Sequence, residues 1–210
     1  MFKNKKILAL AAHPDDIEFS CGATMKRLSE LGNEIHYAVF SPCNKSLPDG
    51  MEDNVLFQEM VRASQHMGIS TEKIYTYDYP VREFYTNRQN ILEDLIVLKK
   101  EIRPDIVFIP NSNDIHQDHQ VMHNEGVRAF KHSVLLGYEL PWNNLNSITN
   151  FFFKLEKLHI EAKIKAIDEY KSQSSRFYKS ADFYYSLAKV RGTQINEEYA
   201  ECFEWIRGSF

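Results

Sequence analysis

Apolar and polar positions follow two rhythms along this chain. Apolar runs of strand length occupy residues 6–12, 34–40, 73–79 and 105–110, with 134–140 as a fifth. Between them, apolar residues recur three and four positions apart: Cys21, Met25, Leu28 and Leu31, then Leu56, Met60, Ala63 and Met67, then Ile91, Leu95, Leu98 and Ile102. Each set makes one buried stripe of an amphipathic helix. Gly32 and Gly68 follow the first two stripes as natural helix stops, and Pro104 ends the third. Strands alternating with helices predict an α/β protein, a Rossmann-like three-layer α/β/α fold with a mostly parallel sheet. From about residue 151 the alternation is expected to cease. A charged helical stretch over 155–171 points there to a helical C-terminal layer on one domain spanning 1–210, because no linker or repeat interrupts the chain. Residues 41–53, with Pro42, Pro48 and Gly50 and little apolar content, read as a mobile loop.

Composition narrows the function. A chain of 210 residues with 43% apolar and 26% charged content can bury a sizeable core. Its 25 basic and 29 acidic residues leave a net charge of -4, which gives no general attraction to nucleic acid or anionic lipid. Cys21, Cys43 and Cys202 form no C-x-x-C pair, so neither a disulfide framework nor a cysteine zinc site is expected, and a reduced cytoplasm is. Lys3, Lys5 and Lys6 before an apolar run imitate a signal peptide. That run stops after six residues at His13, too short for an h-region and suited to a buried strand. No stretch approaches the roughly 18 apolar residues of a membrane span.

Two polar clusters carry the candidate chemistry. After the first strand comes Ala12-His13-Pro14-Asp15-Asp16-Ile17-Glu18. Histidine and aspartate are ligands zinc accepts, and the H-x-x-D spacing across a tight turn can aim both at one ion. Asp15, between them, is placed to take a proton from a metal-bound water. Taken alone, the segment reads equally well as a helix cap by Asp15 or Asp16 with Glu18 completing a capping box. After the fourth strand comes Asn111-Ser-Asn-Asp-Ile-His116-Gln-Asp118-His119. This cluster suits a metal ligand with a supporting carboxylate, Asp118 acting as that support or as a cap rather than as a ligand. His123, four residues on, shares a helix face with His119 but brings no acidic partner and is assigned to core or solvent. The isolated His36, His66, His132 and His159 are read the same way.

The two clusters gain weight together. In a doubly wound sheet of order 3-2-1-4, strands one and four are neighbours where the strand order reverses, and ligands bind beyond their carboxyl ends. Both clusters follow those two strands. His13, Asp16 and His119 would then supply three ligands and leave one position open, the arrangement of a catalytic zinc, one ion per chain. A nucleotide site is disfavoured because the first turn offers Gly22 alone, without a phosphate-binding glycine pattern.

These residues resemble the LmbE-like or PIG-L family of zinc-dependent de-N-acetylases. The family pattern A-H-P-D-D matches Ala12 to Asp16, and its H-x-D-H matches His116 to His119. The likeness runs on through Glu59, Ala63 and Gly68, through Lys163, Ala166, Tyr170, Ser172 and Gln173, and into Arg191-Gly192 and Ala200-Glu201. The resemblance implies zinc on His13, Asp16 and His119, Asp15 as general base, and His116 steadying the oxyanion. It further implies attack by zinc-bound hydroxide on the N-acetyl group of an amino sugar or its conjugate, releasing acetate and a free amine. A protonated His116, kept charged by Asp118, would be the oxyanion donor, and either Asp15 or His116 would protonate the leaving amine. One departure stands out: family members often carry an arginine where this chain has Leu56. Arg82, just beyond the third strand, is the candidate substitute for substrate binding. The alternatives are a metal-dependent amidohydrolase of another small N-acyl substrate and a non-catalytic Rossmann-like binding protein. The aromatic residues of the last third, Phe151 to Phe153, Phe177, Tyr184, Tyr185 and Trp205, are expected in the core, with a sugar-stacking wall or a subunit interface as the other options. Oligomeric state is not legible.

Overall fold

A computed structural model describes residues 2–47, 50–146, 148–174 and 176–209. One seven-stranded sheet runs through it in the order β3-β2-β1-β4-β5-β7-β6. The strands are β1 (Lys6–Ala11), β2 (Glu34–Val39), β3 (Ile74–Thr76), β4 (Ile106–Pro110), β5 (Val134–Tyr138), β6 (Phe151–Leu155) and β7 (Tyr199–Arg207). The first five pair in parallel, and β7 joins antiparallel to both β5 and β6. The helices are α1 (Asp16–Glu30), α2 (Val55–His66), α3 (Phe84–Ile102), α4 (Gln117–Ala129), α5 (Lys157–Asp168) and α6 (Ala181–Thr193).

The period-two geometry of a strand divides the core between two faces. Ile7, Ala9 and Ala11 of β1 pack with Met25 and Leu28 of α1, Met60 and Ala63 of α2, and Ala166 and Ile167 of α5. Leu8 and Leu10 point the other way, towards Leu95 and Leu98 of α3 and Val121 and Met122 of α4. The three-layer expectation therefore holds, as does the 3-2-1-4 order. Gly32 and Gly68 do stop their helices, each with positive φ. At Gly68 a Cβ would fall 2.3 Å from Ser29 Oγ, so a larger residue would have to displace that hydroxyl as well as strain the left-handed backbone.

Two expectations need correction. The third strand shrinks from 73–79 to Ile74–Thr76 at the sheet edge. The alternation does not cease at 151: β6 and β7 extend the sheet, and α5 and α6 are its helical cover rather than a purely helical layer. The loop at 41–53 contains a 3-10 turn at Asn44–Ser46, while Pro48 and Asp49 lie outside the described residues. Among the described residues no helix is long and apolar enough to cross a membrane.

Because β1 and β4 are neighbours that lead away in opposite directions, the segments leaving their carboxyl ends converge on one crevice. Residues 12–16 and 111–119 are those segments.

Candidate metal centre and active-site cavity

The turn after β1 closes on itself. The His13 N–H donates to Asp16 Oδ2 at 2.8 Å, and the Asp16 N–H donates to the His13 carbonyl at 3.3 Å. Below it, the Tyr37 hydroxyl lies 3.1 Å from the Pro14 carbonyl oxygen, which also accepts from the Tyr170 hydroxyl. Glu18 is fully buried with its carboxyl 3.0 Å from the Tyr37 hydroxyl, so it takes no part in a capping box. Asp15 occupies the N-cap position of α1 but makes no side-chain cap bond, and Asp16 is spent on the turn. The helix-cap reading of this motif therefore fails. Asp15 is the half-buried member of the turn and lines a cavity of about 350 Å³.

The segment after β4 brings the second cluster to the same place. Three atoms converge: His13 Nδ1 and His119 Nε2 are 3.1 Å apart, His119 Nε2 and Asp16 Oδ1 3.2 Å, and His13 Nδ1 and Asp16 Oδ1 3.7 Å. Tetrahedral zinc with bonds near 2.0–2.1 Å separates its ligands by roughly 3.3–3.4 Å, so this donor set fits such an ion without rearrangement. His13, His116 and His119 also form a group whose nitrogens all lie within 4.8 Å and which could hold a metal. His123 belongs to neither set; its Nδ1 donates to the Pro110 carbonyl at 2.8 Å.

Both converging histidines are held from behind by a carboxylate. His13 Nε2 lies 3.1 Å from Asp118 Oδ2, and His119 Nδ1 lies 2.8 Å from Asp114 Oδ2. A carboxylate behind each ring holds a hydrogen on the nitrogen it faces and leaves the other nitrogen facing the shared point, where it would donate its lone pair to a bound metal. Asp118 supports His13 rather than His116, and it is itself oriented by the Arg82 N–H at 2.6 Å and the Phe84 N–H at 3.3 Å. Sequence reasoning passed over Asp114. Its only linear signal was an acidic residue inside a cluster already rich in candidates.

The charges follow from these contacts. Burial works against a charged His119, but Asp16 and Asp114 outweigh it and raise its pKa to about 10. Burial is likewise outweighed at His13, where Asp16 and Asp118 raise the pKa. At Asp16 burial is overcome by His119 and His13, which hold the carboxyl well below the usual range. Burial, seconded by Asp16, raises the pKa of Asp15 against the pull of Arg176. The site thus gathers positive charge between two histidines and a carboxylate.

His116 differs from the expectation. It caps α4, its Nδ1 accepting the Asp118 N–H at 3.2 Å, and burial together with His13 and His119 pushes its pKa down to about 4. It is therefore neutral, with its hydrogen on Nε2, and Asp118 does not keep it charged. A neutral imidazole at a helix N-terminus remains a competent N–H donor.

Arg82 is a second correction. Its side chain is exposed, with Nη2 on the Lys45 carbonyl, and lies outside the cavity wall. The arginine in that wall is Arg176, which shares it with Leu56. The aromatic surface of the cavity is Phe19, Trp142 and Tyr178, with Trp142 stacked on Tyr178 at 3.9 Å. Of the aromatics singled out in the last third, Phe153 and Tyr184 are in the core and Phe177 is exposed.

A doubly wound sheet with a histidine–carboxylate cluster at its switch point, opening into a small cavity, defines an α/β protein with a site able to hold a metal ion. The chain belongs to the PIG-L family, GlcNAc-PI de-N-acetylase, whose model matches residues 8–130. It is 31% identical over 176 residues to the uncharacterized deacetylase YaiS of Escherichia coli, covering 81% of this chain and 92% of that protein. It is 24% identical over 230 residues to the diacetylchitobiose deacetylase of Thermococcus kodakarensis, covering 98% of this chain and 85% of that one. Its fold matches the N,N'-diacetylchitobiose deacetylase of Pyrococcus horikoshii with a TM-score of 0.80 at 22% identity, over 95% of this chain and 83% of that one.

Proposed function

We propose that this protein is a zinc-dependent deacetylase that hydrolyses the N-acetyl group of a small acetylated amino sugar or its conjugate. Family membership and relatives that act on diacetylchitobiose support the substrate class. The observation that carries the reading is the convergence of His13 Nδ1, Asp16 Oδ1 and His119 Nε2 to 3.1–3.7 Å beside an uncapped Asp15. We assign the metal to this set rather than to the three histidines. Its three donor atoms already stand at the spacing of tetrahedral zinc ligands, whereas His116 has its Nδ1 engaged by the Asp118 N–H as the cap of α4.

When bound there, a zinc ion lowers the pKa of its water to about 7 and polarises the acetyl carbonyl. The chain's residues do the rest. Asp15 accepts a proton as water oxygen attacks the carbonyl carbon, and burial with Asp16 beside it raises its pKa and makes it the stronger base. His116 donates its Nε2 hydrogen to the developing oxyanion without needing to be charged. Asp15 then returns the proton to the amide nitrogen as the C–N bond breaks, since a neutral His116 is a poor acid. Acetate and the free amine leave. Asp114 and Asp118 keep both ligand rings in the required tautomer throughout. The free, buried cysteines suit a cytoplasmic protein, which cell fractionation would check.

Acetate release from N-acetylglucosamine and diacetylchitobiose, measured against a panel of N-acyl amino acids, tests the substrate class. The expected result is release from the sugars, lost with a chelator and restored by zinc. Preference for the amino-acid amides would replace the sugar by another small N-acyl substrate.

A further inference from the structure

Arg176 stands in the cavity wall on a purpose-built mount. Its Nε donates to Gln173 Oε1 and its Nη1 to the Tyr178 hydroxyl, while Nη2 donates to no other side chain or carbonyl among the described residues. The mount is anchored in the core. Buried Glu59 accepts both the Ser172 N–H at 2.9 Å and the Ser172 hydroxyl at 2.5 Å, which fixes the turn carrying Gln173. On the other side the Tyr178 ring is stacked on Trp142 with an interplanar angle of 14°. A guanidinium in a cavity wall held at two nitrogens is pre-organised to offer the third to a ligand at little entropic cost.

The charge balance says which ligand. Among the described residues Arg176 is the one Lys or Arg side chain in the wall of this cavity. Asp15 and Asp16 line the same cavity and Asp15 offsets part of its charge, but neither carboxylate hydrogen-bonds the guanidinium, so Nη2 remains open to an incoming acceptor. Guanidinium forks match carboxylate and phosphate oxygens. A cavity of about 350 Å³ lies at the small end of the ~300–1,000 Å³ range for ligand sites, enough for one sugar and the first atoms attached to it, with anything larger left outside.

We propose that the cavity selects acetylated amino sugars that carry an oxyanion, a carboxylate or a phosphate, on the sugar or the first atoms of its aglycone, and that Arg176 binds it. This inference rests on the deacetylase reading. The rival role for Arg176 is that of a counterion to Asp15, which would serve every substrate alike.

The test compares kcat/KM of the zinc-loaded protein for N-acetylglucosamine, its 1-phosphate, its 6-phosphate and its carboxymethyl glycoside, in the natural protein, Arg176→Gln and Arg176→Lys. At least one acidic probe should be favoured tenfold or more over the neutral sugar, and the probe favoured tells phosphate from carboxylate. Arg176→Gln should cost that probe at least ten times more than it costs the neutral sugar, with Arg176→Lys in between. No acidic preference in the natural protein, or an equal loss on all probes in Arg176→Gln, overturns the inference while leaving the deacetylase reading intact. Calorimetric binding of the deacetylated amines supplies a readout without turnover. Were no probe hydrolysed, tighter Arg176-dependent binding of an acidic amine would uphold the oxyanion site and defeat the activity alone, and absence of that preference would defeat both.

Discussion

Substituting Asp114 by asparagine tests whether the carboxylates behind the rings set the metal site. Asp114 Oδ1 accepts the His116 backbone N–H at 2.8 Å, and Oδ2 faces His119 Nδ1 at 2.8 Å. A backbone N–H cannot turn round, so the carboxamide oxygen of Asp114→Asn must stay at Oδ1 and its NH2 must face His119. The ring is then obliged to accept at Nδ1 and carry its hydrogen on Nε2, the atom assigned to the metal. A hydrogen bond to a charged group is worth about 1.5–3 kcal/mol. At about 1.4 kcal/mol per tenfold, that is roughly 10- to 150-fold in zinc affinity, overlapping the ~10–100-fold usual for such supporting groups. Asp118→Asn should cost less. There the fixed Arg82 N–H at 2.6 Å and the His13 ring share Oδ2, so the oxygen stays where His13 needs it and the NH2 falls opposite the more distant Phe84 N–H at 3.3 Å. Competition titrations with a chromophoric zinc chelator near pH 7, on variants whose circular dichroism matches the natural protein, read both numbers. Unchanged affinity in Asp114→Asn, or a larger loss in Asp118→Asn, refutes the tautomer argument.

Other outcomes follow from the same geometry. Asp15→Asn should keep its zinc and lose about 10²–10⁴ in kcat; normal turnover would remove Asp15 from the role of base. His116→Ala should also keep its zinc and lose about 10²–10³ in kcat, whereas loss of the ion would make His116 a ligand. In the metal-free protein His119 has a pKa of about 10 against an ordinary 6.5, so its contribution to stability is complete below about 6.5 and disappears as pH rises towards 10. The melting temperature of chelator-treated protein should therefore fall across that window relative to zinc-loaded protein, in which the ring is already deprotonated; parallel curves would contradict the assignment.

What the sequence revealed depended on whether the cause was local. Apolar runs such as Ile7 to Ala11 and stripes such as Leu95 and Leu98 announced β1 and α3, and the two clusters announced their own convergence once the strand order was right. β7 was hidden because it is buried on both faces from Tyr199 to Glu204 and carries Glu201 on one and Glu204 on the other, which break the apolar rhythm. Glu201 is satisfied by Lys163 at 2.7 Å and by the Thr24 N–H, and Glu204 by the Ser112 N–H and hydroxyl at 2.8 Å. Those partners come from α5, α1 and the loop after β4, which no linear pattern connects to β7. The same holds in the cavity. Arg82 was chosen because it follows a strand near the site, yet its backbone N–H serves Asp118 while its side chain leaves the cavity. Arg176 reaches the wall through a turn pinned by Glu59, 113 residues from Ser172 along the chain. Asp114 and the neutral state of His116 likewise depend on distances that spacing alone does not fix.

A crystal structure of the zinc-loaded protein, with the ion located by anomalous scattering at the zinc edge, confronts the central claim directly. One ion per chain is expected, about 2.0–2.2 Å from His13 Nδ1, Asp16 Oδ1 and His119 Nε2, with His116 unbound and Asp15 facing the remaining corner. Density bonded to three imidazoles with Asp16 turned away, or no ion at this point, would contradict it.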